Sequence, residues 1–230
     1  MTPESLRRSL LVGVSLGAIA LLVLDAIAGR LGLTAGHIPD LPGTAAWSIA
    51  RASGITAFVA LSLDVIFGLF VSTRAADQLL PRASSTELHR WLSGVALSLT
   101  ATHLVALLVD PFVGYDVLDL LVPMVSSYRP VAVGLGVVAA CGAVAVHGSF
   151  AMRKRLGPKT WRRLHFVSFG VYAAALLHGL LAGTDTTQAG VQALYLASGA
   201  AVMLLVAVRL RSRSGRRSSG ASHRPWPRPG

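Results

Sequence analysis

The chain has 230 residues, of which 53% are hydrophobic and 13% charged, with a formal net charge of +11. Soluble domains carry about a quarter of their residues as charges, so this composition excludes a soluble globular domain and points to an integral membrane protein. The positive balance does not indicate a nucleic-acid partner, because Lys and Arg collect in short loops and a tail, as in membrane proteins generally. The single cysteine, Cys141, excludes an internal disulfide framework.

In chain order, the first apolar run spans about Ser9 to Ala28, behind Arg7 and Arg8, with Asp25 near its outer end. Ala26-Ile27-Ala28 resembles a signal-peptide cleavage site. The run exceeds the roughly 7–15 residues of a signal core, so a retained helix is expected. Residues 30–46 form a Gly- and Pro-rich loop. The second run, about Trp47 to Val71, holds Arg51 near one end and Asp64 deeper in. A loop with Arg74, Asp77, Pro81 and Arg82 leads to the third run, about Leu88 to Val109. In the longer connection 110–129, the middle (Val117 to Val125) is apolar enough to lie on the membrane surface as a short helix. The fourth run is about Val131 to Met152, and the most basic loop follows, with Arg153, Lys154, Arg155, Lys159, Arg162 and Arg163. The fifth run is about Leu164 to Ala182, a short connection holds Asp185, and the sixth run is about Val191 to Val208. The tail 209–230 contains mostly Arg, Ser, Gly and Pro and is expected to be disordered.

These runs predict an all-α integral membrane six-helix bundle. Its parts are a first helix and outer loop (1–45), the main bundle (46–208) and the basic tail (209–230). The N-terminus, the 72–87 loop, the 153–163 loop and the tail are rich in Lys and Arg, while the alternate connections are poor in them. The positive-inside rule then puts both termini in the cytoplasm of a multi-pass cell-membrane protein. The third and fifth spans run in the same direction, from inside to outside.

Those two spans share a pattern. His89 and His103 are fourteen residues apart; His165 and His178 are thirteen apart. At about 1.5 Å per residue each pair spans roughly 20 Å, which makes two levels inside a hydrocarbon core of about 30 Å. His103 and His178 lie deep in apolar sequence, where an ionisable group is costly and points to function. Side by side, the spans offer one imidazole each at both levels: His89 with His165 inside, His103 with His178 outside. Two opposed imidazoles are the axial ligands of a low-spin b-type heme, so two stacked hemes are expected. Small residues lie between the ligands (Ser93, Gly94, Ala96, Ser98; Ser168, Gly170, Ala173, Ala174) and suit close approach of a porphyrin or of another helix. Around an ideal helix the first pair is offset by about 40° and the second by about 140°. Either the fifth helix is distorted, with Gly170 one place for it, or the hemes are laterally displaced.

At these residues the chain resembles the ferric reductase-like transmembrane domain family. That family includes the membrane parts of ferric reductases and NADPH oxidases and the heme subunit of the bacterial methionine-sulfoxide reductase system. The matching features are His89-Arg-x-x-x-Gly94 leading to His103, and Arg155-x-Gly157-x-x-x-Trp161-x-x-Leu-His165 leading to His178. The resemblance covers roughly residues 46–208 and implies a bundle with two b hemes between spans three and five. It assigns His89 and His165 to the inner iron and His103 and His178 to the outer. Members that use NADPH carry flavin and nicotinamide domains after the sixth helix; here a short polar tail follows, with no Gly-rich phosphate-binding turn. The resemblance therefore implies the electron-transfer subunit of an oxidoreductase, with no catalytic residue of its own. A separate flavoprotein or quinol is the expected donor, and a ferric chelate or periplasmic oxidoreductase the outer-face acceptor.

Arg51 has two readings, a contact to an outer-heme propionate and snorkelling to the interface. Asp64 reads as a polar packing contact, with pairing to an Arg or proton movement as the other roles. Arg162 and Arg163 follow from topology, with an inner propionate or an acidic donor protein as the functional alternative. His147 reads as a helix-end polar group rather than a spare ligand. His37 and His223 are assigned nothing. Trp47, Trp91 and Trp161 sit at span ends, as interfacial aromatics do, and the basic tail suits anionic lipid. The competing function is a metal-ion transporter with intramembrane His ligands, against which the sequence shows no clear internal repeat or broken midplane helix. A third is a structural membrane partner whose His residues only make hydrogen bonds.

Overall fold

The computed structural model describes residues 43–73 and 81–221. Their helices are α1 (Gly43–Thr73), α2 (Arg82–Val109), α3 (Val117–Leu121), α4 (Pro130–Ser149), α5 (Arg153–His165), α6 (Val167–Ala182) and α7 (Ala189–Ala221). Five stretches are long and apolar enough to cross a membrane: Ala45–Thr73, Ala83–Val109, Pro130–Ser149, Arg153–Ala182 and Ala189–Arg211. The protein is thus a multi-pass membrane protein, and five of the six expected spans are seen. The expected first span, Ser9 to Ala28, and both chain termini lie outside the described residues.

The helices present large apolar side chains outward, among them Ile49, Leu63, Leu196, Met203 and Leu204, as a lipid-facing surface requires. Hydroxyls within them bond back to their own helix: Ser62 Oγ donates to Phe58 O at 2.7 Å and Thr100 Oγ1 to Ala96 O at 2.8 Å, so no donor is spent against lipid. The closest helix pairings are α1 with α2 and α4 with α6, and α7 closes the bundle against α1. Phe58, Val65, Leu69, Tyr172, Tyr195 and Val202 form one core among α1, α6 and α7. Through it runs a buried polar chain: Tyr172 Oη and Ser198 Oγ are 2.6 Å apart, and Ser198 Oγ donates to Ser62 Oγ at 2.9 Å. A second core joins Tyr115 and Leu120 to Val133 and Val137 of α4.

The expected surface helix in the 110–129 connection is present but short. Asp116 caps it by accepting from Leu118 N and Asp119 N at 2.7 and 3.0 Å, while Asp119 Oδ2 accepts from Asp116 N at 3.0 Å. It ends at Leu121, before Pro123, and the chain continues irregularly through Met124 (φ 70°) and Arg129 (φ 44°). Two further segments differ from expectation. The basic stretch 153–163 is helical rather than a loop; α5 breaks only at Gly157 (φ 74°, ψ 160°), which glycine adopts without a Cβ penalty, and resumes with Pro158 in a first-turn position. Helix α7 continues beyond the apolar run to Ala221 rather than ending near Val208. Arginine is a good helix former, and no proline interrupts before Pro225.

Candidate functional site

The four histidines on α2, α5 and α6 meet in two pairs. The ring centroids of His89 and His165 are 5.9 Å apart and those of His103 and His178 are 6.3 Å apart. An imidazole nitrogen coordinates a transition-metal ion at about 2 Å. Two rings on opposite sides of one ion therefore have centroids about 6 Å apart, the separation at both levels. Among the described residues, no group of three or more His, Cys, Asp or Glu could hold a metal ion by itself. Each pair supplies two nitrogens, which suits an iron whose other four ligands come from a porphyrin.

Three of the four rings are held by one repeated device. His103 Nδ1 lies 2.7 Å from Ala50 O, His178 Nδ1 lies 2.7 Å from Ala132 O, and His89 Nδ1 lies 3.0 Å from Asp64 O. Four residues after each carbonyl stands a glycine: Gly54, Gly136 and Gly68. A Cβ at Gly54 would lie 3.0 Å from His103 Nδ1, at Gly68 3.2 Å from His89 Cε1, and at Gly136 2.7 Å from His178. In a helix the carbonyl of residue i points toward residue i+4; with no side chain there, an outside donor can reach it. Donation from Nδ1–H fixes the tautomer and leaves Nε2 unprotonated, with its lone pair available. The sequence reading missed these glycines and named Gly94 and Gly170 instead, which have open space beside them. A signal existed: Gly54 and Gly68 are fourteen apart, like His89 and His103, and the helices carrying them are antiparallel neighbours.

The thirteen-residue spacing is accommodated at Phe166 rather than Gly170. Helix α5 ends at His165 and α6 begins at Val167. Around the junction Phe166 N donates to Arg163 O at 3.1 Å as well as to Arg162 O, and Phe169 N to Phe166 O at 3.2 Å. Such i→i+3 bonds wind the chain at about three residues per turn. The extra rotation turns His178 back toward the side that His165 faces.

A cavity of about 240 Å³ runs beside the His103–His178 pair, lined by His103, His178, Gly54, Gly136, Ala140 and Leu104 among others, and reaching Asp64 and His147. Arg51 stands on its wall and forms a two-point ion pair with Asp185, its Nε donating to Asp185 Oδ2 at 2.7 Å and its Nη2 to Oδ1. Neither sequence reading of Arg51 included this partner, because Asp185 lies 134 residues away. Tyr115 and Tyr128 also line it. Tyr115 is buried, and that burial, with the negative surroundings of Tyr128 and Asp119, pushes its hydroxyl up to about 12.

At the His89–His165 level, Trp161 stacks on His165 with centroids 5.1 Å apart and planes 21° apart. Its Nε1 is buried without a hydrogen-bond partner among the described residues. Arg153 lies over Phe150 and Trp161, and Arg209 over Phe166. Arg162 and Arg163 are exposed, and Arg162 Nε donates to Pro158 O at 3.0 Å. His147 is at the end of α4, with Nδ1 2.9 Å from Ser93 Oγ. His37 and His223 lie outside the described residues.

A family model, ferric reductase like transmembrane component, matches residues 52–176. No curated protein and no solved structure matches the chain. The matched stretch contains His89, His103 and His165; Arg51 and His178 stand just outside its two ends. Domains of this kind generally bind heme and serve membrane electron transfer with separate redox partners. The match extends over more than half of the chain and takes in three of the four paired histidines, and the chain belongs to the family of ferric reductase-like transmembrane components.

Proposed function

We propose that this chain is a b-type diheme membrane cytochrome. It carries electrons from a cytoplasmic flavoprotein or a quinol across the bilayer to an outer-face acceptor, either a ferric chelate or a periplasmic oxidoreductase. The observation that carries this reading is the pair of ring separations, 5.9 and 6.3 Å, each the span of one iron with two axial imidazoles. Bound heme supplies a one-electron couple. His89 and His165 would ligate the inner iron, and His103 and His178 the outer. The carbonyls of Ala50, Asp64 and Ala132 hold the Nδ1 protons, and apolar α1 and α4 exclude water. Two histidines on one iron leave no open position, so both levels carry electrons and neither binds substrate. An outer propionate would compete with Asp185 for the Arg51 guanidinium, and Trp161 Nε1 offers a spare donor at the inner level.

The test is a dithionite-reduced minus oxidised absorbance spectrum of the purified protein, with heme counted per chain as the pyridine hemochrome. Sharp b-type bands and two hemes per chain are expected, falling to one on substitution of His103 or His178. No heme in protein from heme-sufficient cells overturns the reading in favour of the metal-ion transporter.

A further inference from the structure

The histidine sockets are built alike except at one position. At His103 and His178 the accepting carbonyl belongs to an alanine, Ala50 or Ala132. At His89 it belongs to Asp64, whose carboxylate Oδ1 also lies 2.7 Å from the same Nδ1. The Asp64 side chain is 13% exposed, within an apolar span. The Asp64 carbonyl accepts the Nδ1 proton, and Oδ1 stands beside it with no hydrogen-bond partner of its own among the described residues; a carboxylate that close to a ligating imidazole stabilises positive charge on the ring and makes it the stronger electron donor. Its negative charge, held in a medium of low dielectric, adds to the effect. Both favour the oxidised form of a bound iron at this level. At the outer level Arg51 and Asp185 are paired and cancel one another. Arg209, over the Phe166 ring near the end of the apolar run, acts on His165 in the opposite sense, whereas the Asp64 carboxylate stands 2.7 Å from the ligand nitrogen itself.

We infer that Asp64 sets the inner level at a lower reduction potential than the outer, so that electrons run from the His89–His165 level to the His103–His178 level. This rests on the diheme reading. One electron leaves the inner level, oxidising it, and arrives at the outer level, reducing it. The flavoprotein or quinol restores the first and the outer-face acceptor discharges the second. The positioning is built into the socket itself, since the backbone carbonyl of Asp64 would hold His89 without the carboxylate.

The experiment is a spectroelectrochemical titration, with a heme count, of the full chain and its Asp64→Asn and Asp64→Ala variants. His178→Ala identifies which component belongs to the inner level. Two components are expected in the unaltered protein, the lower one inner. In both Asp64 variants two hemes remain and the inner component becomes at least about tenfold easier to reduce, a rise of about 59 mV for a one-electron couple. The outer component moves much less. Two hemes with an unmoved inner component, or a shift confined to the outer one, overturn the inference while leaving the diheme reading intact. Loss of one heme in both variants makes Asp64 a structural support and also overturns it. Absence of heme from the unaltered protein overturns the diheme reading itself.

Discussion

Gly68 and His89 face each other across α1 and α2 so closely that a Cβ on residue 68 would stand 3.2 Å from the imidazole Cε1. The same relation joins Gly54 to His103 and, from α4, Gly136 to His178. Gly136→Val is expected to displace His178 and reduce the heme content to one per chain. In a helix interior Gly→Ala raises helix propensity by about 1 kcal/mol, so heme loss in Gly136→Ala with unchanged helicity isolates the steric contact. Gly170→Ala, with open space beside it, is the control and keeps both hemes. Heme stoichiometry and circular dichroism check all three.

The Arg51–Asp185 pair ties α1 to the connection after α6. The Arg51 side chain is 39% exposed, so solvent screening keeps the contribution of the pair to stability small. Asp185→Asn should lower the melting temperature slightly. It also leaves the Arg51 charge uncompensated beside the cavity that His103 and His178 line, so a heme held by that pair is expected to become easier to reduce. Thermal denaturation and redox titration of the same preparation test the two effects separately.

Tyr172, Ser198 and Ser62 form a buried polar chain linking α6, α7 and α1. Removing the Tyr172 hydroxyl takes one hydrogen bond from the chain, while Ser198 still donates to Ser62 and Ser62 to Phe58 O. Tyr172→Phe is expected to destabilise the fold by about 1 kcal/mol, within the range for hydrogen bonds between membrane helices, and to leave the heme spectrum unchanged. Denaturant unfolding in detergent measures it. A large spectral change would instead tie Tyr172 to the redox site.

Tyr115 carries a sign-defined alkaline prediction. Its hydroxyl is raised from 10.0 to about 12 in the folded protein, so the folded state favours the protonated form. The associated stability is complete below pH 10.0, the ordinary value, and is lost as pH rises through about 12. The segment around α3 should loosen across that window, and Tyr115→Phe should remove that contribution. Hydrogen exchange of residues 110–129 against pH reads this directly.

Much of this architecture was legible in the sequence because a bilayer imposes few solutions. A run such as Trp47 to Val71 must be helical, since lipid offers its backbone no partner. Depth alone singled out His103 and His178. The pairing by level also followed, because two parallel spans with similar spacings bring like positions together. Contacts distant in sequence were not legible: nothing in Arg51 names Asp185. The sockets were missed for a different reason. A ligand's second hydrogen bond is made by a carbonyl, which every residue possesses, and only the glycine four residues later marks which carbonyl is accessible. The basic stretch 153–163 was read as a loop because charge density was weighed above helix propensity, and the break at Phe166 leaves no mark that local propensity would show.

That change of winding has a geometric consequence. Helix α2 carries His89 and His103 without interruption, whereas the local tightening at Phe166 falls between His165 and His178. Phe166 keeps right-handed helical dihedrals (φ −64°, ψ −21°) and still donates to Arg162 O four residues back at 3.1 Å, so the tightening lies inside one continuous span, Arg153–Ala182. The facing of His178 relative to His165 is therefore set by backbone hydrogen bonds.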